Sequence, residues 1–305
     1  MELGVFDALG EGSLSSAELA GKAGVPERGM RILCDYLAIQ GLIAKSEARY
    51  AHTATSAAFL DRRSPVSMAP TLPFMMNNKI MTAFRGLTET IRQGRTSLEE
   101  PLAGEEAAEW VLFARSMQPM MAAAAEFIAE IVLSGGMPAR VLDVAASHGL
   151  FGFAVVRRAP ACELVVQDFP SVLDVTSENA RAAGVPVTLL PGSAFTVELG
   201  TGYDVVLVPN FFHHFSVDDN ITLMKRFYNA MRPGGRMMIL EMVPNEDHLT
   251  PPTAASFAMM MLGNTVSGDA YTMAEYGRML DAANFGQREL MDVPMAPQQL
   301  IVATR

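Results

Sequence analysis

The second half of the chain alternates short apolar runs with amphipathic stretches. From residue 138 onward the apolar runs are ARVLDVAA, CELVVQDF, VPVTLLPG, YDVVLVPN and GRMMILEMV, and helical stretches separate them. Strands that are apolar on both faces are typical of a parallel sheet covered by helices on each side. The last two runs, FGQRELMDVP and QQLIVATR, have no helix between them. The pattern predicts an α/β fold that closes with an antiparallel hairpin.

The first 65 residues have a different pattern, that of a helical unit with a small hairpin. Ser15 and Glu18 form a capping-box signature that opens a short helix, and Pro26 opens a longer one. LIAKSEARYAHT then reads as two short strands around a polar turn. Helix, turn, helix and β-wing are typical of a winged-helix domain.

Between these parts lies a Met-rich helical region, residues 70–135. Residues 92–106 read as a loop, and residues 108–133 as one helix bent at Pro119 or as two helices. We therefore expect two domains, residues 1–100 and residues 101–305.

Charge argues against DNA as the partner of the winged helix. The net charge is −10, and residues 1–60 carry five Lys or Arg against seven Asp or Glu. The helix over 26–40, which would enter a DNA groove, is neutral, and phosphate binding needs a basic face. We expect no nucleic-acid partner and interpret this domain as a dimerisation and substrate-side module; a DNA-binding regulator is the alternative.

Composition narrows the class further. Half of the 305 residues are hydrophobic and 18% are charged, which excludes a disordered chain. The two cysteines, Cys34 and Cys162, lack the spacing of a zinc site, so we expect no metal. The N-terminus lacks the basic residues of a signal peptide, and Glu126 and Glu130 interrupt the most apolar helical stretch. These features predict a cytoplasmic protein with no membrane partner.

A candidate cofactor loop follows the first strand of the sheet, in VLDVAASHGLFG. A strand that ends in Asp, a tight loop and a helix N-terminus form a nucleotide-type site, and Asp168 in VVQDFP could bind ribose hydroxyls. Of the three glycine positions in this loop only Gly149 holds glycine, because Ala145 and Ser147 occupy the other two. A strand–helix turn without a ligand is the alternative.

Several motifs in order extend this pattern over nearly the whole chain. They are ELGVFDALGEG, VLDVAASHG, QDFP, PGSAF, NFFHHFSVDD, RPGGRMMILEMVP and GDAYTMAEYGRMLDAANF. In these motifs the sequence resembles small-molecule O-methyltransferases dependent on S-adenosylmethionine, a group that includes caffeate, acetylserotonin and bacterial polyketide O-methyltransferases of secondary metabolism. The resemblance implies a Rossmann-like class I methyltransferase domain after a winged-helix dimerisation domain, S-adenosylmethionine as cofactor, and a homodimer.

The resemblance also assigns residues by position. It implies that the cofactor is bound by Ala145, His148, Gly149, Asp168, Phe169, Ser193, Ala194 and Phe195. It implies His213 as the catalytic base and Glu241 as its orienting acid. It also points to Met117, Met121 and Met261 as the substrate clamp, although methionine stripes are more often core.

Chemistry supports the histidine, because a neutral imidazole with a pKa near ~6.5 is suited to accept the proton of a phenol or enol. The paired His213 and His214 could instead cap a strand or pack in the core, and Glu241 could be a cap or an ion-pair partner.

Some positions depart from the family. Ala145 and Ser147 add Cβ atoms that can shift the cofactor, Ser193 replaces a frequent Asp, and HHF stands where plant relatives read HDW. The second acidic neighbour of the histidine falls near Ala270, beside Asp269. Relatives usually carry a helical arm before ELGVFDAL, so we expect either that this member lacks the arm or that the sequence starts late.

The sequence therefore predicts methyl transfer from S-adenosylmethionine to a hydroxyl group of a small apolar aromatic or polyketide-like metabolite. Transfer to carbon or nitrogen, and binding without transfer, are the alternatives.

Overall fold

The computed structural model describes residues 1–99 and 108–305, which form two compact units, Met1–Pro73 and Phe74–Arg305. The predicted loop over 92–106 lies partly outside the described residues.

The first unit contains four helices and three strands. In chain order they are α1 (Val5–Leu9), β1 (Ser13–Ser15), α2 (Ser16–Ala23), α3 (Glu27–Ile39), β2 (Ile43–Ser46), β3 (Arg49–His52) and α4 (Ala54–Phe59). A 3-10 turn, Ala69–Thr71, and α5 (Leu72–Met75) lead into the second unit.

The second unit contains the remaining elements that the structure describes. They are α6 (Asn78–Arg85), α7 (Leu87–Gln93), α8 (Ala108–Ser116), α9 (Gln118–Ser134), β4 (Arg140–Val144), α10 (Leu150–Arg158), β5 (Glu163–Asp168), α11 (Pro170–Ala183), β6 (Thr188–Pro191), β7 (Tyr203–Pro209), the 3-10 turn Phe212–His214, α12 (Val217–Ala230), β8 (Met231–Glu241), α13 (Pro252–Asn264), α14 (Met273–Ala282), β9 (Arg288–Asp292) and β10 (Gln299–Thr304).

The first unit has the predicted winged-helix elements and one more strand. The Ser15 hydroxyl accepts a hydrogen bond from the Glu18 amide and the Glu18 carboxylate accepts one from the Ser15 amide, so the predicted capping box opens α2. The predicted hairpin is β2 and β3, and β1 adds to β3 to give the order β1-β3-β2. β1 was not predicted, because it has only three residues and its last residue, Ser15, is also the N-cap of α2.

The second unit is built on a seven-stranded sheet of order β6-β5-β4-β7-β8-β10-β9. The first five strands run parallel, and β10 pairs antiparallel with both β8 and β9, which confirms the terminal hairpin. Neighbouring residues of β4 face different cores: Val141 packs with α9 and α10, and Leu142 with α12 and α14. The predicted α/β fold with both faces covered is therefore correct.

The division between the units falls earlier than the sequence indicates. We expected it after residue 100, but the structure divides the chain at Pro73, because α6 and α7 pack against α13 in the second unit. The Thr96 amide also donates a hydrogen bond to the Thr265 carbonyl.

Residues 108–133 form two helices rather than one. α8 and α9 meet at an angle of 70°, and Pro119 lies in the first turn of α9. Within residues 1–99 and 108–305, no single helix is long and apolar enough to cross a membrane; α8 and α9 pass that test only as a bent pair, by length and composition.

Candidate active site

The loop between β4 and α10 has a left-handed backbone at alternating positions. Ala145, Ser147 and Gly149 have φ values of 49°, 53° and 81°. A Cβ at Gly149 would lie 2.2 Å from the ring of Phe153, so glycine is required there. The other two positions hold a left-handed conformation with side chains that disfavour it, at a cost of about 1–2 kcal/mol each.

A buried carboxyl group joins the strand before this loop to the helix after it. Asp143 in β4 is fully buried, and its Oδ2 accepts a hydrogen bond of 2.9 Å from the Gly152 amide in α10. Burial, helped by the nearby charge of Asp168, raises the pKa of the Asp143 carboxyl to about 8. Asp143 is therefore a neutral acid at pH 7 that ties α10 to its strand.

Asp168, the last residue of β5, sits beside the loop. Its Oδ2 accepts a hydrogen bond of 2.8 Å from the Ser147 amide, and its Oδ1 accepts one of 2.7 Å from the Phe169 amide. Burial raises the pKa of this carboxyl to about 6, although the two amides oppose the shift. Each oxygen keeps a second lone pair, which a ribose hydroxyl could use.

Gln167 connects the loop with the strand end that follows. Its Oε1 accepts a hydrogen bond of 3.3 Å from the Ala145 amide, and its Nε2 donates one of 2.6 Å to the Gly192 carbonyl. Gln167 and Asp143 were not predicted from the sequence as site residues. The acid of VLDVAASHG was visible as the end of a strand, but its neutral form depends on burial.

His148 is buried in the same loop. Its Nδ1 accepts a hydrogen bond of 3.2 Å from the Leu150 amide, so Nε2 carries the proton of the neutral ring. Burial lowers the pKa of His148 to about 4. The neutral imidazole can thus donate a hydrogen bond from Nε2 within this loop.

Ser193, Ala194 and Phe195 follow β6. The Ala194 carbonyl accepts a hydrogen bond of 3.0 Å from Arg226 Nε, and the Phe195 ring packs edge-on against Phe215 at 5.1 Å. Phe215 directly follows the 3-10 turn of His213, so the third predicted cofactor segment and the histidine segment are in contact.

His213 and Glu241 form a buried pair at the ends of neighbouring strands. His213 Nδ1 lies 2.6 Å from Glu241 Oε2, and both side chains are almost completely buried. Glu241 Oε1 accepts hydrogen bonds from the Phe211 amide at 2.9 Å and the His213 amide at 3.3 Å. The carboxylate therefore fixes both the backbone of the turn and the orientation of the imidazole.

His214 lies beside His213, with ring centroids 4.1 Å apart, and edge-on to Trp110 at 5.1 Å. Burial and the neighbouring His213 hold the pKa of His214 well below its usual value. Its Nδ1 is buried without a hydrogen-bond partner among the described residues.

Three further residues hold the turn that carries His213. Asn220 Nδ2 donates to the Phe212 carbonyl at 2.9 Å and to the Phe215 carbonyl at 3.4 Å, and the Tyr271 hydroxyl donates to the Phe215 carbonyl at 2.6 Å. A Cβ at Gly268 would lie 2.1 Å from the His213 carbonyl oxygen. Asn220 and Gly268 were not predicted as site residues, because Gly268 reaches the turn from a distant segment and the bonds of Asn220 depend on how the turn folds.

The three predicted substrate methionines are all buried. Met117 and Met121 belong to one core cluster with α10, and Met121 Sδ accepts a hydrogen bond of 3.4 Å from Asn210 Nδ2, one residue before Phe211. Met261 lies on α13, which also places the Phe257 ring edge-on to His213 at 4.9 Å. Thus Met121 lies near the histidine segment, and Met117 packs in the same core cluster.

The residues at this edge fit S-adenosylmethionine. The Ser147 hydroxyl and Asp143 Oδ1 are buried without a hydrogen-bond partner in the described part of the chain, next to Asp168 with its free lone pairs. A tight left-handed loop before a helix N-terminus, an acid for ribose and unpaired polar atoms are what a polar nucleoside ligand requires. Among residues 1–99 and 108–305, no group of three or more His, Cys, Asp or Glu side chains could hold a metal ion.

Comparison with known proteins gives the family. Residues 100–286 match the O-methyltransferase domain, and residues 1–62 match the O-methyltransferase dimerisation domain. The 3-hydroxy-5-methyl-1-naphthoate 3-O-methyltransferase of Streptomyces sahachiroi is 27% identical over 90% of this chain and 81% of its own length. The mitomycin biosynthesis 6-O-methyltransferase of Streptomyces lavendulae is 25% identical over 100% of this chain and 89% of its own.

A solved structure agrees with the sequence relatives. A Nostoc punctiforme protein classed as an O-methyltransferase superimposes with a TM-score of 0.96 and 42% identity, over 100% of this chain and 93% of that one. Human N-acetylserotonin methyltransferase in complex with S-adenosylmethionine gives a TM-score of 0.87 at 21% identity, over 100% of this chain and 91% of that one, and so shows the fold.

The fold and the site therefore define a class I methyltransferase. The chain belongs to the O-methyltransferase family and is an enzyme that uses S-adenosylmethionine. The match to the dimerisation domain supports a homodimer, and the match to the O-methyltransferase domain supports a small-molecule substrate.

Proposed function

We propose that this enzyme methylates a hydroxyl group of a small apolar aromatic or polyketide-like metabolite, with His213 as general base and Glu241 as its orienting acid. The observation that carries the proposal is the 2.6 Å contact between His213 Nδ1 and the buried carboxylate of Glu241. The names of relatives that act on a naphthoate and in mitomycin biosynthesis support the substrate class.

The pair has the geometry of an oriented base. Glu241 Oε1 already accepts from two amides, and Oε2 faces Nδ1, so the Nδ1 atom carries a proton and Nε2 keeps its lone pair. Nε2 can then take the proton of the acceptor hydroxyl. The carboxylate of Glu241 stabilises the imidazolium that results.

When bound, the cofactor would supply a methyl group on a sulfonium sulfur: the acceptor oxygen bonds to the methyl carbon as the C–S bond breaks in line, and the demethylated thioether is the leaving group. In the proposed arrangement the backbone from Ala145 to Gly149 and His148 bind its methionine end, Asp168 accepts from its ribose and Phe169 flanks the ring. Ser193, Ala194 and Phe195 border the adenine. Met121, with Met117 and Met261, shapes an apolar pocket that holds the acceptor oxygen about 3 Å from the methyl carbon.

The assay uses purified enzyme, S-adenosylmethionine and a panel of hydroxynaphthoates and related phenols. We expect His213→Ala to lower kcat by about 10²–10⁴-fold, because general-base catalysis is lost. Glu241→Gln places an amide N–H group against Nδ1, which disfavours the productive tautomer, so kcat should also fall. The Kd of the demethylated cofactor, measured by calorimetry, should stay within about threefold of wild type in both variants.

Glu246→Gln is the matched control, because Glu246 accepts hydrogen bonds at the start of α14, from the Thr272 hydroxyl and the Ala274 amide. It should leave kcat unchanged. If His213→Ala kept full activity on an acceptor that the wild-type enzyme methylates, the role of His213 as the base would be contradicted. Methylation at carbon or nitrogen, seen by mass spectrometry and NMR of the product, would contradict the hydroxyl acceptor.

We also propose that the enzyme is cytoplasmic. Cys34 and Cys162 are both free and buried, as expected in a reducing compartment.

A further inference from the structure

The left-handed cofactor loop is held from the side by one helix. Thr176 Oγ1 in α11 donates a hydrogen bond to the Ser147 carbonyl at 2.5 Å, and Asn179 Nδ2 donates one to the His148 carbonyl at 3.0 Å. The two side chains are three residues apart and so share one face of α11. They bind two consecutive carbonyl groups of the loop.

These bonds act where the loop lacks glycine. Ser147 keeps φ at 53° although its Cβ disfavours that conformation, and its own hydroxyl has no hydrogen-bond partner among the described residues. The side chain of Ser147 therefore does nothing to hold the loop. Its amide is held by Asp168 and its carbonyl by Thr176, so both flanking peptide groups are fixed by other elements.

The same helix begins at the ribose side of the site. α11 starts at Pro170, directly after Asp168 and Phe169, and Thr176 is fully buried two turns further on. A movement of α11 would shift the acid and the loop carbonyls together.

We infer that Thr176 and Asn179 are positioning residues that keep a glycine-poor loop in the left-handed shape that the cofactor needs. With glycine at position 147 the left-handed backbone would carry no steric cost, so the loop would need less support. The dependence on Thr176 should therefore disappear when Ser147 is replaced by glycine.

The test is a set of double variants, with the Kd of the demethylated cofactor as readout. Thr176→Val in the wild-type background should raise Kd about tenfold. In the Ser147→Gly background the same change should raise it less than threefold. In the Ser147→Ala background, which removes the hydroxyl and keeps the Cβ, the tenfold effect should return.

Two controls separate this role from a general loss of structure. Thr222→Val removes a hydroxyl that donates to the Asp218 carbonyl four residues earlier in α12, and it should leave Kd unchanged. Thr176→Ser keeps the donor and should restore binding. Asn179→Ala, at a half-buried position, should also raise Kd more in the wild-type background than in the Ser147→Gly background, by a smaller factor than Thr176→Val.

An equal effect of Thr176→Val in all three backgrounds would overturn the inference, because Thr176 would then act independently of the Ser147 conformation. An unchanged Kd in the wild-type background would overturn it as well. None of these outcomes depends on the identity of the acceptor or on His213, so failure here is distinct from failure of the proposed function.

Discussion

We expect Asp168 to bind the cofactor through a carboxyl group that burial has weakened as an acid. Its pKa of about 6 lies well above the usual value for Asp, because the side chain is almost completely removed from water. Below pH 6 the group is protonated, and one oxygen becomes a donor. Only the ionised form offers an acceptor site to both ribose hydroxyls while it also binds the Ser147 and Phe169 amides.

This charge state predicts that cofactor affinity falls as pH is lowered through 6. If binding requires the ionised carboxylate, the Kd of the demethylated cofactor should rise about tenfold between pH 7 and pH 5, which calorimetry at each pH can measure. Asp168→Asn should bind weakly and lose the pH step. His213→Asn should keep the step; loss of the step in this variant would assign the titration to the histidine instead of Asp168.

At the scale of elements, the segment Phe211–Phe215 around the 3-10 turn is held by contacts from three parts of the chain, namely β8, α12 and the loop between α13 and α14. Glu241 binds its amides, Asn220 and Tyr271 bind its carbonyls, and Gly268 packs on it without a side chain. A base that must meet an acceptor at a fixed position depends on such support as well as on the hydrogen bond of its ring.

Gly268 gives the sharpest test of this support. Gly268→Ala would place a Cβ 2.1 Å from the His213 carbonyl oxygen, so the turn must shift and kcat should fall about 100-fold. Gly263→Ala on α13 is the matched control, because its Cβ would meet only Ala83 at an ordinary 3.9 Å. The Kd of the demethylated cofactor should stay unchanged in both. Wild-type kcat in Gly268→Ala would show that the turn tolerates displacement.

The elements that the sequence predicted are those set by local pattern. The capping box at Ser15, the strands and the terminal hairpin follow from caps and periodicity within a few residues. The support of the site could not be predicted in this way, because Gly268 and Thr176 act through contacts between distant segments, and Asn220 binds carbonyls that only the folded turn directs toward it. Ala145 and Ser147 were recognised as departures from glycine, but only the backbone angles show that they keep the left-handed shape.

At the scale of the whole molecule, the helix that would read DNA in a winged-helix regulator has a different surface here. Ile32, Tyr36 and Ile39 are spaced four and three residues apart on α3, and they are 45%, 58% and 78% exposed in the single chain. Such an exposed apolar stripe, separate from the face that packs in the core, is typical of a protein interface. It lies within residues 1–62, which match the dimerisation domain.

We therefore expect the α3 stripe to be covered by the second copy of the chain. Ile39→Lys would bury a charge in that interface and should weaken the dimer by about 100-fold or more, as sedimentation equilibrium over a range of concentrations would show. Met137→Lys changes a residue that is 72% exposed in the second unit and should leave the association constant unchanged. A wild-type dimer constant for Ile39→Lys would mean that the second copy docks elsewhere. The stripe would then need another partner, and salt-dependent DNA binding would test the regulator alternative directly, since an apolar and neutral helix should show none.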